Sequence, residues 1–283
     1  MSAMIMSGKE MEKELLASQI ERCSQLKEKG IHPLLAVIIV GEDPASEIYV
    51  RNKSRMCDAV GILSRTIRLP ENTSQEELET QINALNADDA VTGILVQLPL
   101  PRHLNESRAL ACVLAEKDVD GFHMQNIGKM MRGEACALPC TPRGILHMLK
   151  KANVSLEGKH AVVIGRSNIV GKPAAMLLLN ENCTVTICHS RTQNLKDITR
   201  QADILVAAVG KAHFVTADMV KPGAAVVDVG VNRVDGKVVG DVDFDAVKEV
   251  ASWITPVPGG VGRMTITMLL ENTVEAAERA TNA

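Results

Sequence analysis

The feature that most narrows the fold is a series of short, nearly unbroken aliphatic runs, at 34–40, 93–100, 160–165, 204–209 and 225–229. A strand with one face in water alternates apolar and polar residues. Runs with almost no polar member belong to strands buried on both faces, the mark of a parallel sheet covered by helices on each side. The segments between them are helical in pattern. Met11, Leu15, Cys23 and Leu26 recur at helical spacing between Gly8 and Gly30. Asp43 is placed to cap a helix with Pro44 at its first position, running to Gly61. Ser74 and Glu77 form a capping box opening the next helix after a strand at 62–69. The second half repeats the alternation: a helix from Thr141-Pro142 to about Lys151, one from about 170, a strand at 184–188 and a helix from about 194. The expectation is two α/β domains with parallel sheets, joined most loosely at Asn153 to Lys159, and a helical tail from Met264 to Ala280.

Composition closes off other classes. Of 283 residues only 1 Trp, 1 Tyr and 3 Phe are aromatic, while 46% are hydrophobic, so the core is aliphatic and stacking platforms for single-stranded nucleic acid are missing. The charge of 31 − 34 = −3 is interspersed, which argues against a nucleic-acid partner. No apolar run approaches the ~20 residues of a membrane span, and the N-terminus lacks a secretory pattern, so a cytoplasmic protein without a membrane partner is expected. The seven cysteines read as reduced and mostly buried thiols, Cys136 and Cys140 being spaced unlike a zinc or redox pair, and no metal site is expected.

Three stretches carry chemistry. At Ala161 to Pro173 a strand passes through Gly165-Arg166-Ser167 into a helix near Gly171, where a dinucleotide pyrophosphate would meet the helix N-terminus. It is neither a regular GxGxxG nor a P-loop, since Ser167 replaces the middle glycine and Pro173 the required hydroxyl. After the next strand an NAD site would place an acid for the ribose; here Cys188 is followed by His189-Ser190-Arg191-Thr192. Arg166, Ser190 and Arg191 suit the 2′-phosphate of NADP instead. Val209-Gly210 and Val229-Gly230-Val231-Asn232 end later strands in glycines, as expected where backbone passes close to a nicotinamide ring.

In the first half, Tyr49 and Lys53 stand four apart on one predicted helix face, where a ring can stack a flat substrate and an ammonium can move a proton. Gln97 is the one amide in the run Val96-Gln97-Leu98-Pro99-Leu100-Pro101, either bonded to backbone or aimed into a cleft. Asp118 and Asp120 lie in a glycine-containing loop, where ordinary turn chemistry competes with a binding role. Thr255-Pro-Val-Pro-Gly-Gly-Val-Gly262 fixes a backbone path before the last helix that could cover a ligand.

In order along nearly the whole chain, Asp43-Pro44-Ala45-Ser46 with Tyr49 and Lys53, Gln97 to Pro101, Lys117 to Phe122, Pro139 to Pro142, Gly165 to Ser167 with Val170-Gly171, and Pro256 to Gly262 resemble the bifunctional methylenetetrahydrofolate dehydrogenase/methenyltetrahydrofolate cyclohydrolase family. The resemblance implies a folate-binding catalytic domain at 1–140, completed by 264–283, and an NADP-binding Rossmann domain at 141–263, facing each other across a cleft in a homodimer. The synthetase domain fused to some eukaryotic members is not expected. The implied activity is NADP-dependent oxidation of 5,10-methylenetetrahydrofolate followed by hydrolysis to 10-formyltetrahydrofolate, in one-carbon metabolism serving purine biosynthesis. Alternatives are a member keeping only the dehydrogenase and a silent folate- or nucleotide-binding protein.

By the same resemblance Lys53 is the proton-transfer group, oriented by Gln97, with a lowered pKa if it is to act as a base. Tyr49 stacks on the folate and Asp120 binds the pterin. Val96, Leu98, Pro258, Gly259, Gly260 and Val261 line the folate pocket, while Gly165, Arg166, Ser167, Ser190, Arg191 and Val231 bind NADP. The family usually has proline where this chain has Arg263, a cation at a helix N-terminus that opposes the dipole. It is expected to face an anion, such as a folate glutamate tail.

Overall fold

The computed structural model describes residues 2–42 and 44–281, with the side chains of all but 44–49. In chain order, β1 (Met4–Ile5) leads into α1 (Gly8–Glu28), β2 (Leu34–Val40), α2 (Pro44–Val60), β3 (Leu63–Leu69), α3 (Gln75–Asn86), β4 (Gly93–Val96), α4 (Glu106–Cys112) and α5 (Met124–Met131). The chain continues through α6 (Cys140–Lys151), β5 (His160–Ile164), α7 (Gly171–Asn180), β6 (Thr184–Cys188), α8 (Leu195–Thr199), β7 (Ile204–Ala207) and β8 (Ala225–Asp228). It closes with β9 (Asn232–Val234), β10 (Lys237–Val239), α9 (Phe244–Val247), β11 (Trp253–Ile254) and α10 (Val261–Thr281). Backbone contacts divide it into two units: Met1–Lys13 with Pro139–Thr265, and Glu14–Leu138 with Ile266–Ala283.

The second of these units is built on a three-stranded parallel sheet, β3-β2-β4, with Leu34 opposite Leu63 and Leu35 opposite Gly93. All seven residues of β2 and all four of β4 are buried, as their aliphatic composition requires. Edge strand β3 carries Arg65 and Arg68 and is partly exposed, which discourages pairing with another chain. The capping box opens α3 as expected: Ser74 Oγ accepts from Glu77 N at 3.2 Å and the Glu77 carboxylate accepts from Ser74 N at 2.8 Å. The expected strand at 93–100 stops at Val96, and the Leu98-Pro99 peptide that follows is cis. Gln97 N–H makes the last rung, to Ile38 O of β2, and Pro99 and Pro101 have no N–H to carry the ladder further. The cap expected at Asp43 lies outside the described residues.

The other unit carries a six-stranded parallel sheet, β1-β11-β8-β7-β5-β6, whose three central strands β8, β7 and β5 are almost wholly buried. Chain order reverses between β5 and β7, so the switch point of this doubly wound sheet lies at their carboxyl ends. Residues 1–13 were expected with the first domain, yet β1 pairs with β11 in this sheet, Met4 opposite Trp253. Two-residue strands and the β9-β10 hairpin carry too few residues for periodicity to reveal.

Candidate functional site

In the unit of β2, helix α2 presents Lys53 toward the exit of β4. Lys53 Nζ donates to Gln97 Oε1 at 2.9 Å, and Gln97 Nε2 donates to Leu98 O at 2.6 Å. A lysine only donates, so with the amide N–H2 engaged by a carbonyl the amide oxygen must face the ammonium. Gln97 is thus bonded to backbone and aimed at Lys53 at once, held in place by its own N–H to Ile38 O at 2.8 Å. Both side chains are half-buried. Val96 is buried at the end of β4, and Leu98 is half-buried beyond it. The side chain of Tyr49, one helical turn before Lys53, lies outside the described residues.

The 117–122 loop runs beside β4, bridging Ile94 to Asp118 in parallel. Here the two carboxylates separate. Asp118 is buried and accepts from Gly121 N (3.0 Å), His123 N (2.8 Å) and Asn126 Nδ2 (2.8 Å), so it does the turn chemistry. Asp120 is half-buried. The loop is tied down further: Lys117 Nζ donates to the carbonyls of Leu85 and Asn86 in the last turn of α3 and of Asp88 beyond it, and Asn272 of α10 donates to Val119 O at 2.7 Å.

In the other unit, β5 ends at Gly165, whose φ is 128° and whose N–H donates to Cys188 O at 2.8 Å. A Cβ at Gly165 would collide with Ala208 O, and one at Gly171 with Gly165 O, so both glycines are required by close backbone approach. Ser167, where a regular fingerprint has glycine, caps α7 instead: its Oγ accepts from Val170 N and Gly171 N, each at 3.2 Å. Beyond β6, His189 N donates to Thr192 Oγ1 at 2.8 Å and Arg191 N to His189 Nδ1 at 3.1 Å. This closed turn leaves Ser190 and Arg191 exposed, as is Arg166, with no acid from 189 to 192. A tight glycine turn entering a helix, flanked by exposed guanidinium groups at the switch point, fits a dinucleotide carrying an extra phosphate. Val231, 55% exposed, follows β8.

The Pro256 to Gly262 segment belongs to this unit too. Its Val257-Pro258 peptide is cis, Pro258 is exposed, Gly259 has a φ of 106°, and Gly260 and Val261 are buried. Val261 opens α10, three residues before the expected start, which puts Arg263 inside the first turn. The anion that Arg263 faces comes from the chain itself: Nη1 meets Glu12 Oε2 at 2.9 Å, offsetting the unfavourable position of a cation near a helix N-terminus.

Among the described residues the cysteines are thiols rather than disulfides, and burial pushes Cys57 up to about 12 and Cys23 up to about 11, far from reactive thiolates. No group of three or more acidic, His or Cys ligands gathers among the described residues. Asp228 and Asp241, both buried, organise the loops after β7 and β8, a role not expected from the sequence. Acids flanking glycines within aliphatic segments, as in Val227-Asp228-Val229-Gly230 and Gly240-Asp241-Val242, were the available signal.

Fold and residues together define a two-unit α/β protein of the dinucleotide-binding class. The family model for the catalytic domain of tetrahydrofolate dehydrogenase/cyclohydrolase matches residues 6–120, and that for its NAD(P)-binding domain matches 139–281. The bifunctional protein FolD of Exiguobacterium sibiricum is 59% identical over 276 residues, covering 98% of this chain and 100% of the relative. Among solved structures, the bifunctional enzyme FolD, methylenetetrahydrofolate dehydrogenase/cyclohydrolase, of Campylobacter jejuni superposes with a TM-score of 0.97 at 49% identity, covering 99% of this chain and 100% of that one. The Trypanosoma brucei dehydrogenase-cyclohydrolase, complexed with NADP cofactor and inhibitor, does so at 0.95 and 38%, covering all of both chains. The chain belongs to the tetrahydrofolate dehydrogenase/cyclohydrolase family of bifunctional enzymes.

Proposed function

We propose that this chain oxidises 5,10-methylenetetrahydrofolate with NADP⁺ and hydrolyses the methenyl product to 10-formyltetrahydrofolate, a one-carbon donor for purine biosynthesis. The observation that carries the reading is the Lys53 Nζ to Gln97 Oε1 hydrogen bond of 2.9 Å, within the region matched by the family's catalytic domain. When bound, NADP⁺ supplies the hydride acceptor. Hydride loss from the folate methylene carbon is assisted by the neighbouring nitrogen lone pair, so the chain's task in that step is alignment rather than acid or base catalysis. Arg166, Ser190 and Arg191 would hold the 2′-phosphate, the Gly165 turn with Ser167 would admit the pyrophosphate, and Val231 would bind the nicotinamide end.

Hydrolysis does need proton transfer. Water adds to the methenyl carbon and releases a proton, the bond to N5 breaks as N5 takes a proton and the new hydroxyl loses one, and one proton is released overall. Lys53, steered by Gln97, relays these protons. Tyr49 stacks on the pterin and Asp120 binds it, with Val96 and Leu98 alongside. Pro258, Gly259, Gly260 and Val261 contribute to folate binding, the buried Gly260 and Val261 through backbone. A homodimer in the cytoplasm, with no nucleic-acid or membrane partner, is the assembly the resemblance supports. No described helix is long and apolar enough to cross a membrane.

Purified protein is tested for NADPH formation from methylenetetrahydrofolate, with NAD⁺ as comparison, and separately for methenyltetrahydrofolate hydrolysis; sedimentation gives the assembly. Both activities are expected. Oxidation without hydrolysis would leave a dehydrogenase alone, and neither would leave a binding protein. Lys53→Met is expected to abolish hydrolysis while folate still binds; normal hydrolysis by this variant removes the lysine from its role.

A further inference from the structure

Asp228 closes β8 and Asp241 follows the β9-β10 hairpin, 3% and 0% exposed. Such burial demands hydrogen bonds, and each carboxylate has them. Asp228 accepts from the backbone N–H groups of Gly230, Asp241 and Val242, all at 2.9 Å. Asp241 accepts from Val209 N at 2.6 Å, Gly210 N at 2.9 Å, Lys211 N at 2.8 Å and Asn232 Nδ2 at 2.9 Å. The packing is reciprocal: a Cβ at Gly230 would collide with the Asp241 carboxylate, and one at Gly240 with that of Asp228.

Three successive N–H groups directed at one carboxylate, with Gly210 at a φ of 65°, make the concavity that proteins use to bind anions. Here the chain fills it with its own carboxylate. The N–H groups of 209–211 are thereby turned toward Asp241, and Ala208 O stands against Gly165 in the glycine turn. Since β5 and β7 flank the switch point, the loop leaving β7 borders the place where a dinucleotide lies. The loop leaving β8, which bears exposed Val231, is pinned at both ends, by Gly230 N to Asp228 and by Asn232 Nδ2 to Asp241.

We propose that Asp241, backed by Asp228, is a positioning residue of the nucleotide site that holds the exit loops of β7 and β8 in the shape that receives the nicotinamide half of NADP. The inference rests on the NADP reading above. Asp241 touches no reacting atom; it acts through the backbone it collects. The 2′-phosphate end, at Arg166, Ser190 and Arg191, lies on other loops and depends on neither carboxylate.

The test is titration calorimetry of the full chain with NADP⁺ and with adenosine 2′,5′-bisphosphate, which keeps the phosphate end and lacks the nicotinamide. Asp241→Asn puts an N–H2 donor among three N–H donors; losing one charge-assisted contact set is expected to weaken NADP⁺ about tenfold while the bisphosphate changes by less than about twofold. Asn232→Ala, which removes one contact and leaves the buried carboxylate satisfied by backbone, keeps the test open if the first variant does not fold; about threefold weakening confined to NADP⁺ is expected. Equal weakening of both ligands, or of neither, overturns the inference. If the wild-type chain binds neither ligand, the NADP reading fails and this inference fails with it.

Discussion

Replacing Gln97 with glutamate tests the proton-transfer assignment by direction as well as size. Gln97 Oε1 lies 2.9 Å from Lys53 Nζ, so Gln97→Glu places a carboxylate against the ammonium at nearly unchanged volume. At that separation the attraction is about 1.4 kcal/mol with water's dielectric constant and about 6 kcal/mol at an effective value of 20. Both side chains are half-buried, so the effect falls between these limits, and the lysine pKa is expected to rise by about 1–3 units. A base must be neutral to take a proton. The rising limb of the pH profile for methenyltetrahydrofolate hydrolysis should therefore move upward by about 1–3 units, and the rate at neutral pH fall by about 10- to 1000-fold. Oxidation of methylenetetrahydrofolate, which asks for no base, should stay within about threefold once folate is saturating. Hydrolysis by stopped-flow absorbance across the pH range is the assay. A disturbed active site lowers the rate without moving the profile, so an unmoved profile, or one displaced to lower pH, refutes the base assignment.

Arg191→Ala should weaken NADP⁺ by about 10- to 100-fold and leave NAD⁺ unchanged, measured by KM for each nucleotide; equal losses would detach Arg191 from the 2′-phosphate. Burial, opposed by three N–H donors and aided by the neighbouring Asp241, pushes the Asp228 carboxyl up to about 6. The raised value means that the folded protein holds this proton more tightly than the unfolded chain: its contribution is fully present below about pH 3.8 and is lost as pH rises through about 6. Between about pH 4.5 and 7, the stability gap between wild type and Asp228→Asn in urea should change by about 2 kcal/mol, and a constant gap would contradict the raised value. Arg22 binds Glu278 at 2.8 and 2.7 Å and Glu271 at 2.5 Å, and these carboxylates, Glu278 foremost, raise its pKa above the ordinary value. Arg22→Ala takes the cation from Glu271, whose side chain is 10% exposed and still accepts from Gln19 Nε2 at 2.9 Å, and should lower stability by about 2 kcal/mol; an unchanged urea midpoint would show the cluster to be dispensable.

Local rules were legible in the chain. The aliphatic runs specify β2, β4, β5, β7 and β8 because a strand with no polar residue except at an end has no face to give to water. The Ser74-Glu77 box specifies the start of α3, since both partners lie within one turn. The glycine turn at Gly165 and the missing acid after β6 point to a phosphate-bearing dinucleotide without any coordinates. Tertiary structure alone decided what depends on distant residues meeting. Gln97 and Lys53 are 44 residues apart, and only the return of β4 beside β2 brings the amide to α2. Which of Asp118 and Asp120 is consumed by turn chemistry depends on where Gly121, His123 and Asn126 direct their donors. Arg263 finds Glu12 across 251 residues, and Asp241 collects N–H groups 30 to 32 residues earlier. A sequence displays which groups need a partner. Because hydrogen bonds and ion pairs act over a few ångströms, only the folded chain determines which partner each one gets.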